Sequence, residues 1–183
     1  MRLFIAISLP HQIQQTLDLW WHDEKLLLPG WRSMPETNRH LTLHFLGDIN
    51  GNKLDEISEN LEELFAESAA MKLALNGVGF FPSPSRARTF WVGVEDQGKV
   101  LATAARQCRR VCQSVQNKRG KATPFRAHIT MARHSERIVI PNLEQFSAPP
   151  HLHWNADEVR LIQSKLRPEG ASYRVVERFA LDG

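Results

Sequence analysis

Hydrophobic residues recur along the chain with two periods, and the changes between them delimit its elements. Residues 2–9, RLFIAISL, form an apolar run of strand length, and Pro10 stands where a first-turn proline begins a helix. In that helix Ile13, Leu17, Trp20 and Trp21 fall on one stripe, and LPGW at 28–31 ends it. The pattern then predicts a strand over 39–47, a turn rich in Gly, Asn and Asp over 47–52, and a helix over 53–69 that buries Leu54, Ile57, Leu61, Leu64 and Phe65. A strand over 72–80, the loop FPSPSR and a strand over 89–94 follow. The helix predicted over 99–116 carries Cys108 and Cys112 on its apolar stripe, and NKRGKATP breaks it ahead of a strand over 125–133. A passage marked by Pro141, Pro149 and Pro150 reads as loop, and strands over 158–165 and 173–181 flank an RPEG turn.

Two of these strands break the bland apolar pattern in the same way. HLTL begins at His40 and HITM begins at His128, 88 positions later, each on a strand that follows a helix. No low-complexity linker separates the halves. The order of elements predicts one α+β domain over 1–183, built of two related lobes with antiparallel sheets facing a central cleft and helices outside.

Successive strand side chains point to opposite faces. Alternation therefore predicts that His40, Thr42 and His44 share a cleft face while Leu41, Leu43 and Phe45 pack inward. In the second strand it groups His128 with Thr130, and Ile129 with Met131 and Arg133. With 8 His in the chain, two H-x-T triplets arise by chance about once in thirty such chains, and with apolar residues at the x position and after the threonine in both copies roughly once in a thousand. Two imidazoles across a cleft suit a reaction that needs one base and one acid, because each titrates near neutrality. The adjacent hydroxyls can donate to the oxygens of a tetrahedral anion, and in-line attack at phosphorus fits the pairing. Neither a metal nor a cofactor is required. A module that binds RNA ends without turnover is the alternative, and a metal site on His40, His44 and His128 is a third that lacks a carboxylate or further ligand to complete it.

Composition narrows the setting. The apolar runs fall far short of the roughly 20 residues that span a bilayer, which predicts a cytoplasmic protein without membrane segments. Net charge is +3, but residues 1–100 carry −4 and residues 101–183 carry +7, so the C-terminal half is the better face for an anion. Arg106 and Arg110 share a helix face there, Arg126 and Arg133 flank the second motif, and Phe125 is placed either to stack on a base or to join the core.

With these residues in view, the chain resembles the two-histidine phosphoesterases with paired H-x-T-x motifs, and within them the bacterial LigT-like RNA 2',3'-cyclic phosphodiesterases, also described as 2'-5' RNA ligases. RLFIAISLP, HLTLHFLG, RTFWVGV, PFRAHITMAR and a tail with Ser164 and Tyr173 carry the similarity across essentially the whole chain. The resemblance implies a bilobal fold of duplicated β-α-β-α-β units with the phosphate between the lobes. It implies His128 as the base that activates water, His40 as the acid that protonates the ribose 3'-oxygen, and Thr42 and Thr130 on the phosphate oxygens. It further implies RNA ends bearing a 2',3'-cyclic phosphate as the partner, tRNA halves among them, and a monomer that works without cofactors. Phe125, Arg126, Arg133, Tyr173 and His44 remain candidates for the rest of the substrate.

Overall fold

The chain is described by a computed structural model over residues 1–116, 124–167 and 170–182. The helix-breaking NKRGKATP, apart from Pro124, and the centre of the RPEG turn lie outside the described residues. Among the described residues nine strands and three α-helices follow in the order β1 (Arg2–Ser8), α1 (His11–Glu24), β2 (Arg32–Ser33), β3 (His40–Asp48), α2 (Leu54–Phe65) and β4 (Met71–Phe81). The second half adds β5 (Ala87–Glu95), α3 (Val100–Val111), β6 (His128–Ile138), β7 (His153–Ala156), β8 (Glu158–Arg167) and β9 (Gly170–Ala180). The mixed helix and antiparallel-sheet class is as predicted. Two short strands, β2 and β7, lie in stretches whose periodicity is too brief to read.

The strands form one sheet in the order β7-β4-β5-β6-β3-β1-β8-β9, with β2 added to β6. Separate short sheets were the expectation; instead two groups of four strands meet at a thin seam. Among the described residues the one register pair between β3 and β6 is Leu41 with Ile129, the central residues of the two motifs. Both side chains are fully buried beneath that seam.

The two groups draw on both halves of the chain. One combines β1 and β3 with β8 and β9, while β4 crosses over to pair with β5 and β7. Helices lie against the face that carries Leu3, Ile5 and Ile7. α3 sits on β3, α2 on α3 and β9, and α1 stacks Trp20 and Trp21 on Phe90 of β5. Ile13, Leu17 and Trp21 are buried as the helical stripe predicts, with Trp20 at its margin. Cys108 and Cys112 are reduced and buried, and burial raises both thiols, Cys112 to about 12. Both are core residues, Cys108 within α3 and Cys112 at its C-terminal cap. Among the described residues no helix is long and apolar enough to cross a membrane.

Candidate active site

Both motif strands are bulged at the same step, directly after the threonine. On β3, Ala6 pairs with Thr42 and Ile5 with His44, so Leu43 is the extra residue. On β6, Trp91 pairs with Thr130 and Phe90 with Ala132, so Met131 is the extra residue. A bulge places two residues opposite one and shifts the phase of alternation. His40 and Thr42 keep the cleft face of Ser8 and Ala6, but His44 joins Ile5 on the helix side, next to Gln116 and Arg109, and burial lowers its pKa. The alternation-based grouping of His44 with His40 is thus corrected, and a site on His40, His44 and His128 does not converge.

The same shift turns the next residue into the cleft. Phe45, predicted inward, pairs with Phe4 on the cleft face, its ring 5.6 Å from that of Phe4 and 61% exposed. Arg133, which strict alternation grouped with Ile129, pairs with Thr89, and its Nη1 donates to the Thr89 hydroxyl at 3.4 Å. Each motif therefore reads H-x-T-x-x followed by a cleft residue, phenylalanine in one copy and arginine in the other. The Met131 carbonyl at the second bulge accepts a hydrogen bond from the Met34 amide at 2.7 Å, which fixes the distortion.

The two imidazoles are held alike. His40 Nδ1 lies 2.9 Å from the Asn38 carbonyl, and His128 Nδ1 lies 2.7 Å from the Arg126 carbonyl. A carbonyl can only accept, so Nδ1 carries the hydrogen in both rings and Nε2 is the reactive nitrogen. Aromatic rings set the tilt. Phe4 at 4.7 Å and Tyr173 at 5.3 Å flank His40, and Phe81 at 4.8 Å and Trp91 at 6.1 Å flank His128. The Trp91 indole lies across β4 at Gly79, where a Cβ would stand 2.2 Å from the ring. Only glycine admits that approach.

Burial dominates the electrostatics. It lowers His40 to about 4, against the Asn38 carbonyl that favours the proton, and the charges of His128 and Arg133 push further down. His128 is lowered for the same main reason, opposed by the Arg126 carbonyl and reinforced by Arg133 and then Arg126. Arg133 thus acts on both histidines. At neutral pH the free site is an uncharged imidazole pair with an arginine beside it.

The remaining candidates separate by location. Thr42 and Thr130 are half-buried on the cleft face, and Tyr173 stands against His40. Ser164 pairs with Tyr173 across β8 and β9. Arg126 is exposed, with its guanidinium 5.5 Å from the centre of the Trp91 ring. Phe125 is partly buried and packs on the main core, one of the two places its position left open. Phe45 is an exposed aromatic on the cleft face that alternation missed, and the matching five-residue spacing in both motifs is the signal that identifies it. Among the described residues no group of three or more His, Cys, Asp or Glu side chains is placed to hold a metal.

Known proteins are similar to this chain in sequence and in fold. The profile of the 2'-5' RNA ligase superfamily matches residues 27–167. The RNA 2',3'-cyclic phosphodiesterase of Thermus thermophilus is 30% identical, with 100% of this chain and 91% of that protein covered. The Archaeoglobus fulgidus protein of the same name is 29% identical over 98% of this chain and 99% of its own. Among solved structures, TT0787 of Thermus thermophilus superposes with a TM-score of 0.85 at 28% identity, covering 100% of this chain and 99% of that one. LigT of E. coli in its apo form gives 0.79 at 27% identity, covering 100% and 98%. With paired, identically bulged H-x-T strands at the seam of this fold, and a profile match over most of its length, the chain belongs to the 2'-5' RNA ligase superfamily.

Proposed function

We propose that the protein is an RNA 2',3'-cyclic phosphodiesterase that opens the cyclic ester at RNA 3' ends to a 2'-phosphomonoester. The observation that carries this reading is the pair of histidines on one cleft face. Each is anchored through Nδ1 to a carbonyl, with Arg133 close enough for its charge to act on both and a threonine two residues after each. Water enters on the His128 side, and Nε2 of neutral His128 takes its proton as the oxygen bonds to phosphorus. The bond from phosphorus to the 3'-oxygen breaks, and Nε2–H of protonated His40 delivers its proton to that oxygen. Thr42, Thr130 and Arg133 stabilise the non-bridging oxygens as charge grows on them.

Phe45 offers an exposed ring on the cleft face for the terminal base, and base stacking on an aromatic ring is sequence-tolerant. With an RNA 5'-hydroxyl in place of water, the same in-line step forms a 2',5'-linkage without ATP, because the cyclic ester already stores the strain. Hydrolysis dominates where water is abundant and acceptor ends are scarce. All of these groups come from one chain, which supports action as a monomer. The two lobes are read as a duplication in which β3 corresponds to β6 and the Leu43 bulge to the Met131 bulge.

The test is turnover of an oligoribonucleotide ending in 2',3'-cyclic phosphate, with linkage-specific analysis of products. His40→Ala and His128→Ala should each abolish turnover while retaining the fold, and EDTA should leave the wild-type rate intact. Full activity in either variant would overturn the acid and base assignment.

A further inference from the structure

The carbonyl that holds His40 belongs to a residue that is itself tied down from far away in the chain. Asn38 Nδ2 donates to the Ala171 carbonyl at 2.7 Å, across 133 positions, where β9 begins. Two residues along β9, the Tyr173 ring packs edge-on against His40. The Asn38 amide nitrogen donates in turn to the Pro35 carbonyl at 2.9 Å, closing a 3₁₀ turn ahead of β3. The next residue, Arg39, is buried, and its guanidinium binds the Met34 carbonyl at 3.1 Å and Asp18 of α1 at 2.5 Å. The peptide between Asn38 and Arg39 is therefore fixed from both ends, and its oxygen is the one that receives His40 Nδ1–H at 2.9 Å. On the other strand the corresponding carbonyl belongs to Arg126, whose side chain is exposed and lies over Trp91.

We infer that Asn38 is a positioning residue for the general acid: its side-chain amide clamps the carbonyl that orients His40 to β9, so that Nε2 stays aimed at the departing oxygen. The inference rests on the proposed acid role of His40. Outer partners that fix the ring of a reactive histidine commonly change its function by 10- to 100-fold, and a misplacement of about 1 Å costs a rate of similar size. Asparagine suits the position because it presents a donor to Ala171 without adding charge beside an imidazole that must gain and lose a proton. Leucine has nearly the same shape and no donor, and aspartate turns an acceptor toward the Ala171 carbonyl.

The experiment compares two oligoribonucleotide substrates, the natural 2',3'-cyclic phosphate and its analogue with sulfur in place of the bridging 3'-oxygen. A thiolate leaves without being protonated, so the analogue bypasses the acid. Asn38→Leu should lower kcat on the oxygen substrate by about 10- to 100-fold, with KM within a few-fold of wild type, and should lose less than about threefold on the sulfur analogue. Asn38→Ala, which removes the donor without adding a charge beside the imidazole, reads the same contrast if the leucine variant does not fold. Equal losses on both substrates, or no loss on the oxygen substrate, would overturn the positioning role. His40→Ala is the control for the underlying reading. If the sulfur analogue does not rescue it, the acid assignment fails, whatever Asn38 does.

Discussion

Anion binding should draw a proton into the site, and the size of the effect follows from the surroundings of His40. Held at about 4 in the free protein, this imidazole carries its proton in roughly one molecule in a thousand at pH 7. A general acid must carry it in the complex. Returning its pKa to about 7 takes about 4 kcal/mol, at about 1.4 kcal/mol for each tenfold change. A unit negative charge about 4 Å away, at an effective dielectric of about 20, supplies about 4 kcal/mol. One phosphodiester charge in the cleft is therefore sufficient, even with Arg133 opposing the protonation.

Sulfate is a suitable probe, being tetrahedral and free of a titration in the relevant range. Calorimetry at about pH 6 in buffers of different ionisation enthalpy should report uptake of about one proton per molecule, shared between two coupled histidines. Between pH 5 and 6.5 the dissociation constant should rise about tenfold for each unit of pH, since the bound form holds a proton that the free form lacks. His40→Ala should cut the uptake to what His128 contributes. In turnover, the alkaline limb of kcat/KM, set by the free enzyme, should lie below that of kcat, set by the complex. An enthalpy independent of buffer, together with a dissociation constant flat over this range, would refute the proton-recruitment argument.

Three further outcomes are expected. Phe45→Ala should reduce kcat/KM on an RNA end by about 5- to 150-fold, the equivalent of about 1–3 kcal/mol of base stacking, with little change in melting temperature because the ring is 61% exposed. An abasic terminal nucleotide should erase the difference between the two proteins, and a persisting difference would remove the stacking role. Gly79→Ala places a methyl 2.2 Å from the Trp91 ring. Overpacking of this kind costs about 1–3 kcal/mol, read as a fall of about 2–12 °C in Tm, and Trp91→Leu in that background should recover part of it. Acid stability should respond to His40, which titrates at 6.5 when unfolded and at about 4 when folded. The unfolded chain binds the proton first, so stability falls as pH drops from about 6.5 to about 4, by up to about 3 kcal/mol from this group. Urea midpoints at pH 7 and 4.5 should differ less in His40→Gln than in the wild type.

The site was legible in the sequence wherever period-two alternation holds and illegible from the point where it breaks. His40, Thr42, His128 and Thr130 precede the bulges, so simple alternation groups them correctly. His44, Phe45 and Arg133 follow the bulges, and all three exchange faces relative to that pattern. Leu43 and Met131 look like any other apolar strand residues, and nothing in either type announces an unpaired position. Amphipathic helices were readable because three or four turns reveal a stripe, whereas β2 and β7, of two and four residues, are shorter than the pattern that would identify them. Asn38 was illegible for another reason: its partner is 133 positions away.

The bulges also explain how two equivalent motifs come to play unlike parts. Had β3 and β6 paired along their length, both histidines would stand on a continuous pleat and point the same way, unable to address opposite sides of one phosphorus. A single pair at Leu41 and Ile129 leaves the strands free to diverge, and a bulge one step after each threonine bends and twists its strand further. The same two bulges bring one more side chain from each strand into the opening, and there the symmetry ends. Arginine comes in from one side and an exposed aromatic ring from the other. Arg133 lowers both imidazoles, but His40 is the one burial drives to about 4 and the one braced through Asn38 to β9. A firmly oriented imidazole whose pKa lies low in the free protein gives up its proton readily, which suits delivery to a leaving oxygen. The counterpart, His128, is anchored to the carbonyl of Arg126, whose side chain is exposed, and accepting a proton from water is the task the proposed mechanism assigns to it.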